Sequence, residues 1–113
     1  MMRTISIQVQ PDLSPNLELE KIDQLFKKIK TNNLVEKAHF DEGEDQGRYL
    51  NFNFDSNNVR ELWEEIQNVL YKKHSISKDL TRCSMVICSG ESGWDDYLLL
   101  YHFDPNVALD NLS

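Results

Sequence analysis

The apolar residues of this chain switch repeatedly between a period of two and a period near 3.6, and that rhythm restricts the fold more than any motif does. Ile5, Ile7 and Val9 alternate with Thr4, Ser6, Gln8 and Gln10, which describes a half-buried strand over Arg3–Gln10. Pro11-Asp12-Leu13-Ser14-Pro15 interrupts it, and Ser14 before Pro15 reads as a helix start with a capping hydroxyl and proline at the first helical position. Leu19, Ile22, Leu25, Phe26 and Ile29 then recur at helical spacing up to Thr31-Asn32-Asn33, and the late lysines suit the negative end of the helix dipole.

Period two returns over Leu34–Glu42, with Leu34, Ala38 and Phe40 in phase, and again over Arg48–Phe54, with Leu50, Phe52 and Phe54 inward. Glycines bracket the loop between them, so the pair reads as a hairpin. Asp55-Ser56-Asn57 supplies the next cap, and Val59, Leu62, Trp63, Ile66, Val69 and Leu70 form a second helical stripe ending near Lys72-Lys73-His74. A polar connection leads to an apolar strand within Arg82–Ser89. A turn over Ser89–Asp96 and a strand over Tyr97–Phe103, apolar on both faces, follow. Asp104-Pro105 ends that strand, and the tail beyond it reads as a loose cover or a frayed end.

The order β-α-β-β-α-β-β in 113 residues implies one α+β domain spanning 1–113. The economical arrangement is a ferredoxin-like split-βαβ sandwich, with both helices on one face of a mostly antiparallel sheet and the extra C-terminal strand at an edge. In that arrangement the second and fourth strands run in opposite directions, so the two turns that follow them lie at opposite ends of the sheet.

Those two turns are acidic. Asp41, Glu42, Glu44 and Asp45 crowd the first, and Glu91, Asp95 and Asp96 the second, with Trp94 beside them and no lysine or arginine inside either. With 19 acidic against 12 basic residues the formal charge is −7, which disfavours nucleic acid and anionic membranes and favours a basic protein surface. Trp94 is costly to leave in water, so it is either tucked against its own sheet or offered as an apolar anchor within the charged turn. The simplest alternative is that the acidic tips serve solubility by protecting edge strands.

Catalytic and metal signatures are missing from the sequence. His39, His74 and His102 belong to no metal-ligand spacing, and the acidic turn lacks the D-x-D-x-D-G order of a calcium loop. Ser89-Gly90-Glu91-Ser92-Gly93 lacks the order of a nucleophile elbow. Cys83 and Cys88, placed on opposite faces of one strand, read as buried unpaired thiols in a reducing compartment. The N-terminus has no apolar signal run, and no stretch approaches ~20 apolar residues, so the expectation is a cytoplasmic protein that is not an enzyme and has no cofactor.

In size, charge and α+β layout the chain is similar to the small acidic immunity proteins of bacterial toxin systems, including contact-dependent inhibition. That resemblance implies a protein that neutralises a nuclease-type toxin, with Asp41, Glu42, Glu44, Asp45, Glu91, Asp95 and Asp96 steering and locking a cationic partner and Trp94 anchoring it. The alternative is a regulatory or assembly module that homodimerises through an aromatic sheet face built from Tyr49, Tyr97, Leu99, Tyr101 and Phe103.

Overall fold

The computed structural model describes residues 2–72 and 76–112, so His74 lies outside the described residues. Strand β1 (Arg3–Val9) leads through a single 3-10 turn, Pro11–Leu13, to α1 (Leu19–Lys30). Strands β2 (Lys37–Glu44) and β3 (Arg48–Ser56) form the first hairpin. Helix α2 (Val59–Gln67) continues into one π turn, Asn68–Lys72. Helix α3 (Ser77–Cys83) then feeds directly into β4 (Ser84–Gly90), which turns into β5 (Gly93–Tyr101).

The chain is thus α+β, with five strands in the order β2-β3-β1-β4-β5 and every neighbouring pair antiparallel. Strand β1 sits centrally, pairing Ile5 with Phe54 on one side and with Cys88 on the other. Its inward residues Ile5, Ile7 and Val9 are wholly buried, and the buried sides of α1 and α2 close over them. Phe26 of α1 stacks on Phe52 with ring centroids 3.6 Å apart and 4° between planes, which fixes the helix against β3.

Over β1, β3 and β2 the opposite face of the sheet is polar, and its rungs are hydrogen bonds between register partners. Thr4 donates to Asp55 (2.6 Å), Ser6 to Asn53, and Gln8 to Asn51 (3.2 Å). Asn51 and Asn53 both donate onward to Asp41 of β2, at 3.0 and 3.3 Å. A face that buries no helix still needs its register specified, and this ladder does it by pairing donors with acceptors rather than by burial.

Four local expectations change. Ser14 does not cap α1, because Pro15 and Asn16 form a turn and the helix begins only at Leu19; buried Ser14 instead donates to Asp79 of α3 at 3.0 Å. The cap of α2 falls one residue beyond the expected triplet, at Asn58, whose side chain accepts from Glu61 N–H at 3.2 Å and donates to the Glu61 carboxylate at 2.7 Å. The polar connection contains a third helix, α3, so Cys83 ends a helix while Cys88 lies in β4; both are free and buried. The tail pins the outer edge of β5, with Asp110 N–H donating to the Leu99 carbonyl and Leu99 N–H to the Asp110 carboxylate, both at 2.8 Å.

Asn58→Ala is expected to lower the unfolding free energy by about 1 kcal/mol through the lost cap. Ser14→Ala is expected to cost a similar ~1 kcal/mol through the lost tie to Asp79. Urea denaturation of both variants measures this, and an unchanged midpoint for Ser14→Ala would remove the tie from the account.

Candidate functional site

The two acidic segments are less like loops than the sequence implied. Asp41, Glu42 and Glu44 lie within β2, and the loop proper is Asp45-Gln46-Gly47, turned by positive φ at Gln46 and Gly47. The second loop is only Glu91-Ser92, so Trp94, Asp95 and Asp96 belong to β5. Asp96 folds back to accept the Ser92 N–H at 3.0 Å, and Gly90 makes room for it: a Cβ on Gly90 would come within 2.4 Å of the Asp96 carboxylate.

Strand alternation divides the first cluster between two faces. Asp41 points to the polar face, where Asn51 and Asn53 engage both of its oxygens. Glu42 is on the other face, 3.6 Å from the Arg48 guanidinium. The tip also gains an acid that sequence proximity could not reveal. Asp12, from the 3-10 turn after β1, accepts the Arg48 N–H at 3.0 Å and so stands at the base of the loop. Its register position is the only sequence-level signal, because β1 ends beside the start of β3.

All seven expected carboxylates are exposed, and Glu42 alone among them has a lysine or arginine partner among the described residues. Asp41 and Asp96 are already engaged by amides of this chain, which leaves Glu44, Asp45, Glu91 and Asp95 most available to a cation. The register sets the two loops at diagonal corners of the sheet: the first follows β2 beside the Val9 end of β1, and the second follows β4 beyond its Cys88–Ile5 pairing. They stand roughly 25 Å apart along the strands, with inter-strand spacings of about 4.8 Å accumulating across the sheet.

Trp94 is 47% exposed but is not offered at the second tip. It lies on the polar face beside Met85 and Ile87, bordering a shallow hollow that also includes Ser6, Gln8, Asn51 and Asn53. Tyr101 and Tyr49 do not meet on one aromatic face. Tyr101 is in register with buried Val86, donates to the Thr81 carbonyl at 2.7 Å and packs on Tyr71 with ring centroids 4.8 Å apart. Tyr49 packs over Gly43 near the β2 edge, across the polar ladder from β5.

The perturbed ionisations lie elsewhere and favour neutral groups. Burial pushes the Cys83 thiol up to about 11, with Asp79 adding to the shift, and burial also raises Cys88 against the opposing pull of Arg3. Burial raises Tyr71 and Tyr101 as well; the Tyr71 hydroxyl shares a 2.7 Å hydrogen bond with Ser84. Cys88 and His102 are separately engaged, the thiol with the Ser89 carbonyl and the imidazole Nδ1 with the Asp104 N–H. No group of three or more metal-ligating side chains occurs among the described residues, and none of their helices is long and apolar enough to cross a membrane.

Compared with known proteins, the chain matches no family model, no curated protein and no solved structure.

Two outcomes separate structural from available groups. Asp41→Ala is expected to cost about 1 kcal/mol, because Asn51 and Asn53 lose a shared acceptor. Asp45→Ala should stay within about 0.5 kcal/mol of the parent in the same urea titration. At pH 8 a thiol titrating near 11 is about one part in a thousand thiolate, so Cys83 should resist a disulfide reagent in the native protein and react after urea is added. Rapid native labelling of both cysteines would contradict their burial.

Proposed function

We propose that the protein is an acidic binding module that neutralises a basic protein partner, in the manner of an immunity protein acting on a nuclease-type bacterial toxin. The observation that carries this reading is the pair of acidic corners, whose exposed carboxylates, Glu42 apart, have no lysine or arginine partner among the described residues. In a chain of net charge −7 such corners hold a negative potential that attracts a cationic surface and accelerates encounter. A nuclease active site, built to hold phosphates, is one such surface. A cytoplasmic, non-enzymatic role in a bacterium belongs to the same reading.

The diagonal placement sharpens it. A single compact partner meets one corner closely and feels the other only through a screened field, since the Debye length is ≈ 8 Å at physiological ionic strength. The corner that locks the partner therefore uses either Glu44 and Asp45, with Asp12 behind them, or Glu91 and Asp95.

We also infer a ferredoxin-like, split-βαβ plan for the architecture. Support comes from β1 lying between β3 and β4, from the β2–β3 hairpin at one edge, and from β5 added outside β4. Helix α3 is an addition to that plan.

Affinity capture on the immobilised protein from a lysate of the source cells, eluted by a salt gradient and read by mass spectrometry, tests the function. A basic protein held at about 0.15 M salt and released well below 1 M is expected, because the Debye length shrinks to about 3 Å at 1 M. Either Glu44→Lys with Asp45→Lys, or Glu91→Lys with Asp95→Lys, should abolish capture while leaving the fold intact. Capture that is indifferent to salt and to both double variants would rule out acidic recognition.

A further inference from the structure

An apolar cleft on the helix side of the sheet is not used by the acidic corners. Between α1 and the β2–β3 hairpin lies a cleft of about 410 Å³, walled by Ile22, Phe26, Leu50, Phe52 and Phe54 and opening past Leu19 and Phe40. Phe40 points to the helix side of the sheet, in phase with Ala38 and packed on Phe52 at 5.0 Å between centroids, yet remains 52% exposed. Leu19, at the start of α1, is 38% exposed. Two apolar side chains at the mouth of an apolar cleft are left wet because α1 stacks on β3 through Phe26 and does not reach the edge strand β2.

The charges on the rim are not arranged as the chain's overall balance would suggest. Lys27, Lys30 and Arg48 line the cleft with Asp23 and Glu42. Lys27 is held by Asp23 at 3.0 Å and Arg48 faces Glu42 at 3.6 Å. Lys30 is the one lysine or arginine of the lining with no carboxylate partner among the described residues. The last turn of α1 also carries Lys27 and Lys28, and these charges outweigh the roughly half negative charge of the helix C-terminus.

We propose that this cleft binds an amphipathic monocarboxylate of the medium-chain fatty acid class, its apolar chain lying against Phe26, Phe40 and Phe52 and its carboxylate at Lys30. A volume of about 410 Å³ lies within the ~300–1,000 Å³ of small-ligand sites, which are commonly apolar hollows with a few polar groups that fix orientation. An unpaired ammonium at the rim of an aromatic-lined hollow supplies one such group and sets the sign of the ligand. A cation would instead be repelled by the uncompensated Lys30. The site is on the helix side of the sheet, away from the polar ladder, and borders the first acidic corner through Glu42 and Arg48.

Decanoate and decanol, titrated below micelle formation into the isotopically labelled full chain and followed by amide shifts, test the assignment. Decanoate should saturably shift Phe26, Ala38, Phe40 and Phe52 and bind about fivefold more tightly than decanol, the scale of one exposed ion pair. Lys30→Gln, a surface substitution, should erase that difference and leave decanol affinity unchanged. Absence of saturable shifts at these residues, equal affinity of decanoate and decanol for the parent, or a preference that survives Lys30→Gln would each overturn the site. So would sedimentation equilibrium that finds a dimer which Phe40→Ala dissolves, since the cleft would then belong to a second copy of the chain.

Discussion

Strand β1 is hydrogen-bonded along both edges and wholly buried on one face, and nearly every other element takes its position from it. Its register with β3 and β4 sets the height of both hairpins, and therefore where each acidic loop emerges. Its inward Ile5, Ile7 and Val9 form the floor on which the helices close. A one-residue slip would exchange these for Thr4, Ser6 and Gln8, breaking the core and the polar ladder together. Two independent sets of interactions, one apolar and one hydrogen-bonded, thus specify a single alignment.

The polar ladder also explains why acidic residues that are neighbours in sequence do unlike work. Asp41 closes the row running from β1 through β3 to β2, whereas Asp45 stands beyond it in the loop. Asp96 closes its own turn over Gly90, whereas Asp95 has no comparable duty. Charge in this protein is partly mortar and partly display, and alternation along a strand sorts one from the other. The cleft beside α1 follows from the same geometry on the opposite face: once Phe26 is committed to Phe52, the helix cannot also cover Phe40.

Much of the layout was legible because strands β1 and β3 and helices α1 and α2 each carry an unambiguous hydrophobic period. The α+β class and the opposition of the two loops follow from those elements alone. Short elements were not legible. Helix α3 has seven residues with little apolar periodicity, and its formation depends on tertiary partners such as Ser14 reaching Asp79. Ser14 looked like a cap because local sequence cannot show that its hydroxyl is claimed by a residue far along the chain. Tyr101 turns inward because bulges in the β4–β5 pairing shift the alternation that would have put it with Leu99. Asp12 joins the first acidic corner through topology, which no local motif records.

The two edges of the sheet end differently. At β5 the tail returns and Asp110 occupies the free donor and acceptor of Leu99, so part of that border is already bonded. At β2, an edge strand of eight residues without a proline, no further strand pairs among the described residues. A sheet open on both sides can add neighbours without limit, as fibrils do. A sheet open on one side can accept a single added strand and then has nothing left to offer, so any association through its backbone terminates at a pair. The tail thus withdraws the donor and acceptor of Leu99 from the β5 border, while the β2 border keeps no such cover from it.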